Sequence, residues 1–133
     1  MTIEQKQDLV KYRVGNARKT LDEVEILMQN NLYNTAINRL YYACFYAVTA
    51  LLLQNDIKSK THSGARQMLG MHFIDTGIIP ADSGTFYTKI FTMRHKGDYE
   101  DFIDYEYQDT LVLIEPARKL IAEIEAVLPT IND

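Results

Sequence analysis

Tryptophan is absent from these 133 residues, while Cys occurs once, Pro three times and Gly six times. A lone Cys44 excludes a disulfide framework and suits a reducing compartment. The scarcity of Pro and Gly leaves few backbone breakers, and there is no Asn-Gly or Asp-Gly turn and no segment alternating with period two. A hairpin-rich β architecture is thereby excluded. Positive charge is also short: 14 Lys and Arg against 18 Asp and Glu give −4. A general electrostatic grip on nucleic acid or anionic lipid is ruled out, so any such contact must be a local patch. The longest apolar run, Leu40 to Leu53, is broken only by Thr49 and is too short to span a bilayer. The start, MTIEQKQDLV, lacks the basic-then-apolar pattern of a signal peptide. A cytoplasmic protein without membrane contact is expected.

What is present is a core. The apolar share is 47% and the charged share 24%, which fits one globular domain over residues 1–133. Val10, Val14, Ala17, Leu21, Val24 and Met28 step by four and three, so the first helix is amphipathic and about seven turns long. Asn30-Asn31 supply its stop. A second helix, Tyr33 to Gln54, is apolar around most of its circumference and belongs at the centre of a bundle, with Asn55-Asp56 ending it. Thr61 or Ser63 can cap a short third helix carrying Ala65, Met68, Leu69 and Phe73, for which Gly77 is the left-handed terminator. Asp82 or Ser83 can cap a fourth, with Phe86, Ile90 and Met93 inward and Gly97 ending or bending it. The last shows Leu113, Ala117, Leu120, Ile124 and Val127, with Pro116 inside the pattern, so it is either kinked there or begins near Glu115; Tyr107 to Ile114 is helix-compatible and favours the kink. The fold class is all-α, an up-and-down bundle of about five helices.

Three constellations could carry chemistry. On the second helix Arg39, Tyr42 and Tyr46 share one side, and Tyr41, Phe45 and Val48 the next. An Arg among Tyr hydroxyls there is either hydrogen-bonded to another helix or part of a polar cleft or dimer interface. Arg94, His95 and Lys96 crowd the end of the fourth helix, where the dipole favours cations, and five acids follow between Asp98 and Glu106. That segment is either a solvated loop or a site positioning Arg94. The basic stretch Lys58, Lys60, His62 and Arg66 lies near a helix N-terminus, as a plain connection or an anion site. His62, His72 and His95 have no metal-ligand spacing with one another or with Cys44, so no metal and no cofactor is expected. His72 reads as a packed helix residue. Burial on the most apolar helix would raise the Cys44 pKa, which argues against a nucleophile.

Taken in order, N-R-L-Y-Y-A-C-F-Y-A from Asn38, K-T-H-S-G from Lys60, F-x-x-T-G from Phe73 and R-H-K-G-D-Y from Arg94 resemble the HEPN domain, most closely its small stand-alone prokaryotic branch. The resemblance runs from the first helix to about Leu128. It implies a helical bundle that commonly dimerises, and a role in RNA binding or metal-independent endoribonucleolytic cleavage. Many members are toxins paired with a minimal nucleotidyltransferase antitoxin. In the active nucleases an Arg is followed four to six residues later by a His, and both copies of the dimer line one cleft.

Arg94 matches that Arg, but five residues on stands Tyr99, and no His follows His95. Cleavage by the 2′-OH needs a group to take its proton, for which a His is suited near neutral pH and a Tyr of pKa near 10 is not. His95 would point about 100° from Arg94 on a continuous helix. It could serve only if the helix breaks at Gly97 or a second subunit supplies it. The resemblance thus implies a catalytic set of Arg94, Tyr99, Asp98 and His95 of weak or absent activity, with Arg39, Tyr42, Lys60, His62 and Lys96 holding RNA or nucleotide in a homodimer. The alternative is a non-catalytic interaction module partnering a minimal nucleotidyltransferase, with Tyr99, Tyr105 and Tyr107 as exposed docking or modification points.

Overall fold

Thr2 opens the first helix, α1 (Ile3–Gln29), through a reciprocal cap: its Oγ1 accepts from the Gln5 N–H at 3.0 Å, and the Gln5 side chain accepts from the Thr2 N–H at 2.8 Å. A computed structural model describes residues 1–129; positions 130–133 of the expected domain lie outside the described residues. Val10, Ala17, Leu21 and Val24 are buried as their spacing predicts, with Val14 and Met28 partly so. The Asn pair ends α1: the Asn30 amide donates to the Ile26 carbonyl at 2.8 Å and Asn31 takes φ +59°, a backbone state Asn tolerates better than most residues.

The second helix, α2 (Tyr33–Gln54), packs against all four other helices. By length and composition alone it could cross a membrane. Eleven of its 22 residues are buried, Ile37, Leu40, Tyr41 and Cys44 completely, so its apolar faces are covered by protein. Burial pushes the Cys44 thiol far up, as expected of an inert core Cys.

Thr61, rather than Ser63, caps α3 (His62–Leu69), accepting from the Gly64 N–H at 2.8 Å. The helix then widens into one π-helical turn, Gly70–Ile74, in which the Asp75 N–H reaches the Gly70 carbonyl at 2.9 Å. Phe73, four residues after the buried Leu69, stays in the core while His72 faces out. His72 is therefore exposed, a correction to the packed position its neighbours suggest. Gly77 takes φ +79° as expected.

The fourth helix departs from expectation at both ends. α4 (Ala81–Tyr99) begins directly after Pro80, so Asp82 and Ser83 lie inside its first turn and cap nothing. Instead Asp82 accepts from Lys119 at 2.9 Å and the Ser83 hydroxyl donates to Glu123, both on the last helix. Gly97 does not end it, since the helix runs on to Tyr99. A Cβ there would lie 3.2 Å from the Tyr105 ring, whose hydroxyl donates to the Met93 carbonyl at 2.9 Å; the glycine marks a close approach. The last helix, α5 (Tyr107–Val127), is one element with Pro116 inside, not a helix beginning at Glu115. Leu113, Ala117, Leu120 and Ile124 are buried, while Val127 on its final turn is 40% exposed. The described residues form five α-helices and no strand.

Candidate functional site

Arg94 lies five residues before the end of α4, on the side facing α2, and its side chain is only 5% exposed. A buried guanidinium needs compensation. Its carbon stands 4.6 Å from the centre of the Tyr41 ring, 5.8 Å from Tyr42 and 6.0 Å from Phe91, which gives cation–π attraction in a largely water-free setting. One turn on, the Asp98 carboxylate is 3.6 Å from an Arg94 terminal nitrogen. That is an ion pair but longer than a hydrogen bond. The buried Nε of Arg94 has no partner.

Asp98 is tied back to α2. The Asn38 amide donates to its two oxygens at 3.0 and 3.3 Å, and Asn38 Oδ1 accepts from Arg39 at 2.9 and 3.1 Å. The Arg39 guanidinium also lies 5.1 Å from the Tyr42 ring centre. Tyr42 thus has a guanidinium from each helix near its ring, and a polar chain Arg39–Asn38–Asp98–Arg94 links α2 to α4.

His62, the first residue of α3, closes the cluster. Its Nδ1 is 2.9 Å from the Tyr41 hydroxyl and its Nε2 3.5 Å from that of Tyr42. Burial first, and then the positive charge of Arg94, hold its pKa below the ordinary 6.5. A neutral ring has one donor and one acceptor nitrogen, which suits two hydroxyls that can each give or take. Burial raises the Tyr41 pKa, partly offset by the Tyr87 hydroxyl and then by the charge of Arg94. Tyr87 stacks on Tyr41 with centroids 5.9 Å apart.

Of the residues singled out from sequence, Arg94, Asp98, Arg39, Tyr42 and His62 converge here. His95, Lys96 and Tyr99 do not. All three are exposed, and the His95 and Tyr99 rings lie 5.0 Å apart on the outer side of α4. Because α4 continues through Gly97, no helix break brings His95 beside Arg94. Lys60 lies on a neighbouring groove of about 710 Å³ that shares Tyr42 and His62 with the cluster. Tyr105 is half-buried, not an exposed docking point: its ring packs on Gly97, and Asn34 accepts from its N–H at 2.9 Å while donating to the Ile103 carbonyl at 2.8 Å. Asn38, Tyr87 and Phe91 are the cluster members sequence reasoning did not single out. Asn38, Tyr41, Tyr42 and Phe45 follow the three-and-four spacing of one helix stripe, a signal that could have marked Asn38.

Among the described residues no three His, Cys, Asp or Glu side chains gather as a metal cluster. A family model for the HEPN domain matches residues 10–127. The chain belongs to the HEPN family. A Thermotoga maritima protein named only "UPF0332 protein" is 32% identical over 126 residues, 95% of this HEPN chain and 96% of the relative. Two Methanocaldococcus jannaschii relatives carry the name "Putative toxin". One is 39% identical over 83 residues, 62% of each chain, and the other 31% identical over 114 residues, 86% of this chain and 77% of the relative. The Arg94 cluster lies wholly inside the matched region.

Proposed function

We propose that this HEPN chain acts as a cytoplasmic homodimer that binds RNA or a nucleotide phosphate at the Arg94 cluster and cleaves RNA weakly or not at all. The observation that carries the reading is Arg94 itself, a buried guanidinium with an unpartnered Nε whose ion pair to Asp98 is stretched to 3.6 Å. The Nε itself is out of reach of a ligand, so the donors offered to a phosphate are the terminal nitrogens, held only by that long ion pair, and Arg39 and Tyr42 beside them add a second cation and a stacking face. Cleavage is weak because Tyr99, 70% exposed, stands where the active nucleases of the family carry His. His95 faces the same outer side, where only a second subunit could bring it to use. His62 is the imidazole within the cluster, but both its ring nitrogens face tyrosine hydroxyls.

The test is binding and cleavage of a structured RNA by wild type and Arg94→Ala. Expected are an affinity loss of tenfold or more in the variant and slow cleavage at most by either protein. Unchanged affinity would remove Arg94 from the site; fast, Arg94-dependent cleavage would overturn the low-activity assignment.

A second reading is favoured by one exposed feature. Phe102 is 100% exposed at φ +63°, with Tyr99 70% and Tyr107 50% exposed nearby in sequence, in and just after the acidic run from Asp98 to Glu106. This is the surface of an interaction module for a minimal nucleotidyltransferase, with Tyr99 and Tyr107 as docking or modification points. Co-expression with the adjacent gene and intact-mass measurement separate the two readings. The interaction reading requires a stable complex or an added nucleotide mass; finding neither removes it.

A further inference from the structure

The groove beside the Arg94 cluster is built from three elements. Arg13 comes from α1, Phe45 and Tyr46 from α2, and Lys58 and Lys60 from the segment that leads into α3. Its volume of about 710 Å³ lies within the range of about 300–1,000 Å³ that small-ligand sites occupy. Its charge runs against the rest of the chain. The protein carries −4 overall, yet among the described residues no Asp or Glu lines this groove. Asp56, two residues before Lys58, is drawn to Lys6 at 3.2 Å. Arg13 is held on the wall by donating to the Thr49 carbonyl at 3.3 Å, while Lys58 and Lys60 are exposed at the rim.

The floor is aromatic. Tyr42 is 5.9 Å from Phe45 and 6.0 Å from Tyr46 between ring centres, and Phe45 is 4.5 Å from the His62 ring. These four rings are tilted or edge-on to one another, with one face of Phe45 stacked on Tyr41 at 5.9 Å, and Phe45 and Tyr46 are both only partly buried. Because Tyr42 and His62 belong both to the groove and to the Arg94 cluster, the two are continuous.

We infer that this groove is a lane for single-stranded RNA, with bases resting on Phe45 and Tyr46 and the backbone phosphates on Arg13, Lys58 and Lys60, leading into the Arg94 cluster. The inference rests on the RNA-binding reading and says which part of an RNA the chain selects. Aromatic floors bind unpaired bases because only unpaired bases expose a face, and they do so with little sequence preference. Cations along the rim supply a salt-dependent backbone contact. An acidic peptide would satisfy the cations and leave the aromatic floor unused.

The test is fluorescence anisotropy of the full chain with a labelled eight-nucleotide single-stranded RNA, the same sequence as a duplex, and uridine monophosphate as competitor, each over a salt series. Wild type binds the single strand at least tenfold tighter than the duplex. The double variant Lys58→Glu, Lys60→Glu loses about tenfold or more and flattens the slope of log K against log salt by about one to two. Tyr46→Ala loses about tenfold without changing that slope. The two lysines are exposed, so circular dichroism and thermal melting of their variant match wild type. A 4-thiouridine RNA crosslinks to the peptide spanning residues 42–46.

Groove variants within twofold of wild type, while Arg94→Ala loses binding, would overturn the lane and leave the Arg94 reading standing. No RNA binding by wild type would overturn both. Displacement of the RNA by poly-glutamate as effectively as by unlabelled RNA would assign the groove to acidic protein instead. Displacement by uridine monophosphate at the concentration of competing oligonucleotide that suffices would reduce the lane to a mononucleotide site and overturn it.

Discussion

The Arg94 guanidinium sits 4.6 Å above the Tyr41 ring, and the Tyr41 hydroxyl in turn lies 2.9 Å from His62. One buried tyrosine therefore touches the cation with its face and the imidazole with its edge, so its two ends can be removed separately. Tyr41→Phe keeps the face and deletes the hydroxyl, leaving His62 Nδ1 without its closest partner. The expected cost is about 1–2 kcal/mol of unfolding free energy, measured by urea denaturation, with RNA affinity little changed. Tyr41→Leu removes the face as well and lowers both.

Stability should depend on pH through His62. Its folded pKa is held below 6.5 by burial and by Arg94, so the unfolded chain takes up the proton first as pH falls. The contribution is fully present above about pH 6.5 and is lost as the pH drops through that value toward the lower folded pKa. In His62→Gln that part of the pH dependence disappears. Equilibrium unfolding at pH 7.5, 6.5 and 5.5 measures it, and an identical profile in both proteins would remove His62 as the source.

Asn34 pins the segment after α4 by two backbone hydrogen bonds, from its amide to Ile103 and from Tyr105 to its carbonyl. Asn34→Ala loses both and should cost about 2 kcal/mol. The Tyr105 amide would then exchange with deuterium much faster while amides of α2 stay protected, which hydrogen-exchange mass spectrometry reads directly.

Tyr99 is 70% exposed and its ring lies 5.0 Å from that of His95, also exposed. Tyr99→His therefore leaves the fold intact, with a melting temperature close to wild type. It places an imidazole where the resemblance to the active nucleases implies one, and Arg94-dependent RNA cleavage is expected to rise at least tenfold over wild type. A variant as slow as wild type would show that the outward position does not reach the scissile phosphate even in a dimer.

Local patterns carried most of the fold. The stripe from Val10 to Met28 and the apolar run of α2 predicted their helices because side-chain period and burial are set by the same geometry. The boundaries at Asn30-Asn31 and Asn55-Asp56 were also legible, because a left-handed residue suits few side chains. The fourth-helix start was misread: Asp82 and Ser83 are good caps in isolation, but each has a partner on α5, Lys119 and Glu123, far away in sequence. At Gly97 a close approach of Tyr105 and a helix stop call for the same residue type, and only the tertiary contact distinguishes them. The π-helical turn that contains His72 has no local signature of its own.

For the site, sequence alone determined the residue types and the departure that matters most: Arg94 is present, the expected His is Tyr99, and the net charge leaves only local basic patches. Those are properties of composition and short spacing. Tertiary structure decided which of them meet. It brought His62 from α3 to two tyrosines of α2, linked Arg39 to Arg94 through Asn38 and Asp98, set Tyr99 and His95 outside, and placed Arg13 opposite Lys58 and Lys60 over an aromatic floor. Contacts between residues twenty to sixty positions apart depend on how helices pack, and packing is chosen by the whole core at once rather than by any segment within it.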